Sequence, residues 1–487
     1  MSKDLTGYKN HFEKIEKLKS GELSLKENVR FFLDRISENS HLNAFNFVFE
    51  ENALFMAEKV SDKIRSGTHG KLAGMIVAVK DVLALKDKPL SCSSEMLKGF
   101  TSLYSATALK KLLEEDAIII GKTNCDEFAM GSSNENSAFG PVLNPVDTSR
   151  VPGGSSGGAA AALKAGLCDV SIGTDTGGSI RQPASFCGVL GLKPTYGRVS
   201  RSGLTAFASS FDSIGPFAGS ISDIALVMEV ISGRDNYDAT SARVDVPEYS
   251  RLLSDVRVSK GNYSGKPRIG IPREYFSEGL NIEVRSKIEE AISKIREKGF
   301  EVKDISLPNT PYSIATYYIL TTAEASSNLA RYDGARYGYR DPESPTLQDM
   351  YTDSRSVGFG TEVKRRIMLG TYVLSAGYYD AYYKKAQKVR RLLKNDFDRA
   401  FNDVDLILTP TAPTTAFRLG EKSSSPLEMY LNDIYTTSAN LAGIPGINIP
   451  AGTDSLGLPV GMQLMAAQFE ELTLMKMSRY ISEEILS

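Results

Sequence analysis

Short apolar runs alternate with amphipathic stretches along most of this chain. The runs Gly74–Val79 and Ala117–Ile120 are typical of buried strands, whereas residues 107–115 have the pattern of a helix. The alternation returns later, where a strand-like run at Pro267–Ile271 precedes a helical pattern over 281–298. Strands that alternate with helices predict an α/β fold built on a large, mainly buried sheet.

Two long segments, 131–215 and 233–266, depart from this alternation of strands and helices. Between residues 131 and 215, Gly, Ser, Thr, Ala and Pro dominate, but apolar segments interrupt them, which predicts tight turns threaded through a core. The polar stretch 233–266 is predicted to be an irregular surface segment. The remaining predicted elements are helices within 1–66, over Ile221–Ile231 and over 379–401, and strands over Glu301–Leu307 and Asp405–Leu408.

Charge and hydropathy exclude some classes of protein. Of the 487 residues, 41% are hydrophobic and 24% are charged, and the formal net charge is −2. So small a charge gives no overall attraction to nucleic acid or to an anionic membrane, so any bound RNA would need a partner or a local patch. The chain has no run of about 18 apolar residues, and its polar start, Met1–Asp4, lacks a signal-peptide pattern. We therefore expect no membrane association.

Cysteine and histidine are too few and too scattered for a disulfide framework or a zinc site. The four cysteines form no CxxC pair, which favours a reduced, cytoplasmic setting. The three histidines all lie in the first seventh of the chain, with no cluster of further ligands beside them, so no metal is predicted. These residues are Cys92, Cys125, Cys168, Cys187, His11, His41 and His69.

Two clusters rich in glycine and serine, Pro152–Gly158 and Gly173–Arg181, are candidates for chemistry. A phosphate-binding P-loop is disfavoured, because Asp116 stands where the first glycine of the motif would precede Gly121-Lys122-Thr123. An α/β-hydrolase nucleophile elbow matches at Gly153–Gly157, but that mechanism needs a histidine later in the chain, and none follows position 69.

A serine nucleophile with a lysine base fits better. A serine hydroxyl is a weak nucleophile at its own pKa, so another group must accept its proton. Lys80 follows the apolar run Met75–Val79, where burial would disfavour the ammonium form and supply a neutral amine. Clustered glycines allow several backbone N–H groups to point at one place, as an oxyanion hole requires. A lone lysine after a strand is more often a solvated surface residue.

The two clusters and the segment Gly188–Pro194 resemble the amidase signature family, and the spacing of 24 residues between Ser155 and Ser179 agrees with its pattern. The resemblance implies an amidase signature fold: one domain over 1–487, with a large mixed central sheet covered by helices on both faces. The resemblance is strongest over 70–215, the expected catalytic core, while the N-terminal helices in 1–66 and the irregular surface segment at 233–266 are those that the residue pattern predicts.

The resemblance also assigns roles to individual residues. Ser179 would be the nucleophile, Ser155 the bridging serine after a cis peptide bond, and Lys80 the base. The oxyanion hole would consist of backbone N–H groups at Thr176, Gly177, Gly178 and Ser179. Apart from the resemblance, Ser156 is interpreted as a hydrogen-bonding support and Arg181 as a structural ion-pair partner.

The C-terminal half points to a substrate class. Its motifs resemble the branch of the family that serves as the glutaminase component of tRNA-dependent amidotransferases. They lie at Glu324–Leu329, Arg331–Gly338, Gly358–Arg366, Tyr382–Arg390 and Leu441–Gly446.

Free glutamine carries a carboxylate and an ammonium group, so its site should offer one cation and one anion. By resemblance, Arg366 would bind the carboxylate, Asp433 the ammonium, and Tyr317 would shape the pocket. If the alignment is shifted by one residue, Arg365 or Tyr318 would take the corresponding role instead. Each of these could otherwise be a surface ion pair or a core tyrosine.

The resemblance implies that ammonia from glutamine passes to a partner, the B subunit, which uses ATP and Mg²⁺ to activate the charged tRNA. A small third component, the C subunit, is expected, tRNA would bind through the complex, and no cofactor is expected on this chain. Whether the product is Gln-tRNA(Gln), Asn-tRNA(Asn) or both stays open. The alternatives are a free-standing amidase acting on small or peptide amides, and a non-catalytic scaffold that kept the fold.

Overall fold

The computed structural model describes residues 7–260, 263–422 and 426–486. Within them a π-helical turn spans Tyr379–Lys384, directly before a long α-helix. The α-helices are α1 His11–Ser20, α2 Leu25–Glu38, α3 Glu50–Ser66, α4 Thr107–Glu114, α5 Gly157–Lys164, α6 Arg181–Cys187, α7 Ile221–Ile231, α8 Ile282–Glu297, α9 Ser313–Asn328, α10 Leu347–Gly358, α11 Thr361–Leu374, α12 Lys385–Asp403, α13 Pro426–Leu431, α14 Thr437–Ala442 and α15 Glu471–Tyr480.

The strands are β1 Phe45–Val48, β2 Ile76–Lys80, β3 Ile118–Thr123, β4 Val170–Asp175, β5 Leu190–Lys193, β6 Ser213–Ala218, β7 Val258–Lys260, β8 Tyr263–Gly265, β9 Ile269–Pro272, β10 Val302–Ile305, β11 Leu406–Pro410, β12 Gly446–Thr453 and β13 Pro459–Ala466. In the part of the chain that the structure describes, eleven of these strands form one mixed sheet in the order β1-β3-β2-β4-β6-β5-β12-β13-β11-β9-β10, and β7 pairs with β8 in a separate hairpin.

Strand β2 shows why the sheet is buried on both faces. Successive side chains of a strand point to opposite faces, and in β2 every residue is apolar until Lys80. Val77 and Val79 belong to the hydrophobic cluster on one face, whereas Ile76 and Ala78 belong to the cluster on the other. The prediction of a large mixed sheet covered on both faces is therefore confirmed.

The parallel pairing of β2 with β4 determines where the site can form. The carboxyl ends of parallel strands lie at the same edge of a sheet. Strand β2 ends at Lys80 and β4 ends at Asp175, and the two pair in register from Val77↔Val170 to Val79↔Ile172. The glycine-rich loops that precede α5 and follow β4 therefore meet at the edge where Lys80 emerges.

Three predictions about secondary structure need correction. The region 1–66 also contains β1, and its residues 1–6 lie outside those described. The segment 233–266 is less irregular than predicted, because β7 and β8 pair within it; residues 261 and 262 lie outside the described set. Strand β11 continues through Pro410, beyond the predicted end at Leu408, and Pro410 pairs with β13. The other neighbour, β9, pairs only with Leu406 and Ile407, so the proline lies past the end of β9 and interrupts no pairing there.

Among the residues described, no helix is both long and apolar enough to cross a bilayer.

Candidate active site

Lys80 is fully buried, and its amine lies among three hydroxyl groups. The Nζ atom is 2.7 Å from Ser155 Oγ, 2.9 Å from Ser156 Oγ and 2.9 Å from Thr174 Oγ1. The peptide bond between Gly154 and Ser155 is cis. Lys80 is therefore a desolvated residue with a complete set of polar neighbours, and the alternative of a solvated surface lysine is ruled out.

The hydrogen bonds of Ser156 distinguish the two serines beside Lys80. Ser156 Oγ donates to the Thr174 carbonyl at 2.9 Å and accepts from Thr174 N–H at 3.2 Å. Because its proton is committed to that carbonyl, Ser156 can only accept from the amine. A neutral lysine has two hydrogens and one lone pair. It can donate to Ser156 and Thr174 and still accept a proton from Ser155.

Burial also sets the protonation state of Lys80. Desolvation lowers the pKa of Lys80 from its ordinary value of 10.5 to about 8, although the carboxylates of Asp126 and Asp175 offset part of this effect. A substantial fraction of the amine is therefore neutral in mildly alkaline solution. That fraction rises with pH, because the neutral form is the deprotonated one.

Ser179 lies in the loop between β4 and α6, next to the serine pair, with 9% of its surface exposed. Its carbonyl accepts a hydrogen bond from Ser156 N–H at 3.3 Å. Below the loop, Arg181 makes a two-pronged pair with Asp175, with Nε–Oδ2 and Nη2–Oδ1 distances of 3.0 Å. Burial alone would raise the pKa of Asp175, but the charge and hydrogen bonds of Arg181 lower it to about 2. This ionised pair fixes the base of the loop.

The predicted oxyanion hole needs one correction. Gly178 N–H donates to Asp175 Oδ1 at 2.9 Å, so this group is already engaged and does not lie free for an anion. The N–H groups of Thr176, Gly177 and Ser179 donate to no other residue in the described part of the chain. These three amides are the donors that a developing oxyanion could use.

Tyr317 and Thr436 pack against the glycines of the same loop. A Cβ on Gly177 would lie 2.5 Å from the Tyr317 ring, and one on Gly178 would lie 2.2 Å from Thr436 Oγ1. Thr436 Oγ1 also donates to the Gly177 carbonyl at 2.6 Å. Tyr317 therefore directly borders the loop that carries Ser179, and only glycine fits at either position.

Arg366 is the buried member of the predicted arginine pair. It is 3% exposed, whereas the side chain of Arg365 is 39% exposed. Its Nε donates to Glu362 Oε1 at 2.8 Å, and its guanidinium lies 5.3 Å from the Tyr318 ring and 5.5 Å from the Tyr430 ring. Burial disfavours its charge, but Glu362 raises its pKa above the ordinary value. Its terminal Nη groups donate to no residue that the structure describes, so they are available to an anion.

Asp433 supplies the opposite charge near the same loop. Its Oδ2 accepts from Ser132 Oγ at 2.6 Å, and its carbonyl accepts from Thr436 Oγ1 at 3.1 Å. Burial raises the pKa of Asp433 to about 7, while the Ser132 hydrogen bond and the charge of Arg366 offset part of the rise. A cation bound beside this carboxyl group would favour its ionised form.

Sequence reasoning missed several residues that complete the site. Thr174 lies within the cluster Gly173–Arg181 but was given no role there, whereas Ser132 and Asp126 lack a motif of their own and reach the site only through the fold. Asp126 N–H donates to the Ser155 carbonyl at 3.2 Å. Glu362 could have been found, because it precedes Arg366 by one helical turn. No group of three or more His, Cys, Asp or Glu side chains among the described residues could hold a metal ion.

The sequence also resembles proteins of known identity. The profile of the family described as Amidase matches residues 27–475. Two relatives, each named as the A subunit of Glutamyl-tRNA(Gln) amidotransferase, come from Chlorobaculum tepidum and Acidobacterium capsulatum. The first is 53% identical and covers 96% of both chains. The second is 54% identical and covers 96% of this chain and 97% of the relative.

Solved structures agree with this comparison. A crystal structure of the A subunit of Glutamyl-tRNA(Gln) amidotransferase from Thermotoga maritima has a TM-score of 0.77 at 39% identity, covering 96% of this chain and 94% of that one. A peptide amidase from Stenotrophomonas maltophilia has a TM-score of 0.80 at 28% identity, covering 97% and 96%.

The neutral form of Lys80 should control the reactivity of Ser179. We expect a serine-directed fluorophosphonate to label Ser179 at a rate that rises with pH, with a midpoint near the Lys80 pKa of about 8. The rate would be measured by mass spectrometry, with Ser179→Ala as the unlabelled control. Lys80→Met should remove the pH-dependent component. A rate that stays flat between about pH 6.5 and pH 9.5 would rule out this role for Lys80.

Proposed function

The chain belongs to the amidase family, and we propose that within it this protein is the glutaminase component of a tRNA-dependent amidotransferase. One observation carries the proposal: the buried pair of Lys80 and Ser155 lies in the same interior as a buried arginine and a buried aspartate, Arg366 and Asp433, which are close enough for the arginine charge to act on the carboxyl group. The relatives from Chlorobaculum tepidum and Acidobacterium capsulatum support it. Both are named as the A subunit of such an enzyme, and both match this chain over nearly their whole length.

In the proposed reaction, Ser179 Oγ attacks the side-chain amide carbon of glutamine. The proton of Ser179 passes to Ser155 Oγ as the proton of Ser155 passes to the neutral amine of Lys80. The carbonyl oxygen becomes an oxyanion, which the free N–H groups of Thr176, Gly177 and Ser179 stabilise. The tetrahedral intermediate then collapses, its C–N bond breaks, and the proton returns through Ser155 to the leaving nitrogen, which departs as ammonia.

The second half-reaction regenerates the enzyme. Water attacks the γ-glutamyl ester on Ser179 and gives its proton to the same relay. The ester bond breaks, Ser179 regains its hydrogen, and glutamate leaves. Ser156 stays in place throughout, because its hydrogen bond to the Thr174 carbonyl holds it as an acceptor for Lys80. One lysine therefore serves both steps as acceptor and donor.

The charged groups of the pocket suit free glutamine. We assign the α-carboxylate of glutamine to the Nη groups of Arg366, which Glu362 holds from the other side. The α-ammonium would bind Asp433, whose carboxyl group it would keep ionised. Tyr317 closes the space beside Gly177. A substrate without both charges would leave the Nη groups of Arg366 or the carboxyl group of Asp433 without its proposed ligand contact, which disfavours simple amides.

The released ammonia would be used elsewhere in a complex. We propose that a partner, the B subunit, activates the mischarged tRNA with ATP and Mg²⁺, that the small C subunit completes the assembly, and that tRNA binds through these partners. The product would be Gln-tRNA(Gln). The net charge of −2 is consistent with a chain that leaves RNA binding to others.

A free-standing amidase is the second candidate, because the peptide amidase from Stenotrophomonas maltophilia has the same fold over nearly the whole chain. It would use the same Lys80, Ser155 and Ser179. Purification of the native protein distinguishes the two: a free-standing enzyme would elute alone and hydrolyse amides other than glutamine.

Loss of the nucleophile should separate glutamine hydrolysis from ammonia use. In the reconstituted complex, Ser179→Ala should lower glutaminase activity by at least about three orders of magnitude. Amidation of Glu-tRNA(Gln) with added ammonium chloride should persist, because that step occurs on the partner. Ser66→Ala, an exposed serine at the end of α3, is the control. Glutamine hydrolysis that survives in Ser179→Ala would refute the assignment of the nucleophile.

The two neighbouring arginines offer a matched test of glutamine binding. Arg366→Ala should raise KM for glutamine by about tenfold to a hundredfold, because a charge-assisted contact is worth roughly 1.5–3 kcal/mol. Arg365→Ala should change KM far less, since Arg365 is partly exposed. Ammonium-dependent amidation should be unaffected in both. Equal effects of the two substitutions on KM would show that Arg366 does not bind the carboxylate.

A further inference from the structure

We propose that the outer face of α11, with the groove between it and α10, is the docking surface for an apolar segment of a partner protein that carries an acidic residue. The inference rests on the proposed function, since it concerns the amidotransferase complex. We call this region the α11 surface and define it by Arg355, Lys364, Met368, Tyr372, Tyr378 and Tyr382.

The groove is large enough to hold side chains from another protein. Its volume is about 410 Å³. Phe359, Ile367 and Met368 supply apolar walls, and Arg355 and Lys364 line it with charge. A groove of this size and lining is suited to an apolar anchor that has a polar group at its rim.

Beyond the groove, the apolar character continues along α11. Met368 is 72% exposed, and Tyr372, one helical turn later, is 47% exposed. The Tyr372 ring lies 4.3 Å from the Tyr378 ring and 6.1 Å from the Tyr382 ring, so three tyrosines form one exposed cluster. Tyrosine and methionine are enriched in protein interfaces, and a continuous exposed apolar patch usually marks one.

The charges in the groove indicate the chemistry of the occupant. Lys364 Nζ donates to the Ser356 carbonyl at 3.0 Å, and Arg355 Nη1 donates to the Leu329 and Tyr332 carbonyls at 2.9 and 2.8 Å. Neither cation has a carboxylate within salt-bridge distance among the residues that the structure describes. The described residues that line the groove include no acidic side chain. A carboxylate from a partner would complement both cations.

The same charges disfavour two other occupants. A symmetric contact with a second copy of this chain would bring like charges together, because both faces would present Lys364 and Arg355. Nucleic acid would need more cations than this surface carries, since its binding depends on phosphate contacts by Lys and Arg. Three exposed tyrosines and an exposed methionine suit a protein segment better.

The test uses this chain co-expressed with the B and C subunits from the same organism. Met368→Glu places a negative charge in the apolar part of the α11 surface and should weaken association at least about tenfold, as loss of a central contact does. Tyr372→Ala should weaken it in the same direction. The matched control is Leu456→Glu, an equally exposed position at 70%, in the β12–β13 hairpin. Affinity would be measured by biolayer interferometry, with fluorophosphonate labelling of Ser179 as the check on folding.

The outcomes are distinguishable. Wild-type affinity in both Met368→Glu and Tyr372→Ala would overturn the docking surface while leaving the proposed function intact. Failure of the wild-type chain to bind either partner would overturn the proposed function and this inference with it. If the substitutions weakened only tRNA binding, with a steep salt dependence, the surface would be a nucleic-acid site instead. If light scattering showed that they dissociated a homodimer, it would be a contact between copies.

Discussion

The buried amine of Lys80 and its contacts with three hydroxyl groups are the interaction on which the site depends. Taking an ammonium group out of water is costly, so burial drives the amine toward its neutral form, with a pKa of about 8. The sheet makes this burial possible, because β2 lies between β3 and β4 and carries apolar residues on both faces up to Lys80. Because the neutral amine can donate to the Ser156 and Thr174 hydroxyl groups, Ser155 is left as the neighbour from which it can accept a proton. The same lysine on a solvent-exposed outer strand would stay charged and could not act as a base.

Burial acts differently on the other charged groups of the site, and hydrogen bonding decides the outcome. Desolvation raises the pKa of Asp433 to about 7, which brings this carboxyl group close to neutrality at physiological pH. Asp175 is buried as deeply, yet the two-pronged contact with Arg181 and a hydrogen bond from Asn440 at 2.9 Å keep its pKa at about 2. The two carboxyl groups are both buried, yet their pKa values differ. Asp175, which is held by Arg181, stays ionised, whereas Asp433 can gain a proton near neutral pH.

The sequence predicted the parts of the site that are encoded locally. An apolar run that ends at Lys80 indicated a buried lysine, and the family resemblance indicated that Ser155 lies beside it, as the structure shows. What it could not predict depends on contacts between distant segments: Thr174 reaches Lys80 only because β4 pairs with β2. Likewise, Gly178 N–H looked free until the fold placed the Asp175 carboxylate beside it. The short strand β1 was missed because its partner, β3, lies about seventy residues away and pairs with it irregularly.

Helix α11 connects the site that we propose for glutamine to the surface of the molecule. Glu362 and Arg366 occupy its inner face, whereas Lys364, Met368 and Tyr372 occupy its outer face, as the helical repeat requires. On its inner side Gly370 packs so tightly that a Cβ there would lie 1.9 Å from the Thr322 carbonyl of α9, the helix that carries Tyr317. The two helices that supply Arg366 and Tyr317 are therefore held together as one packed unit. A protein bound to the outer face of α11 would therefore contact the same packed unit that carries Arg366 and Tyr317.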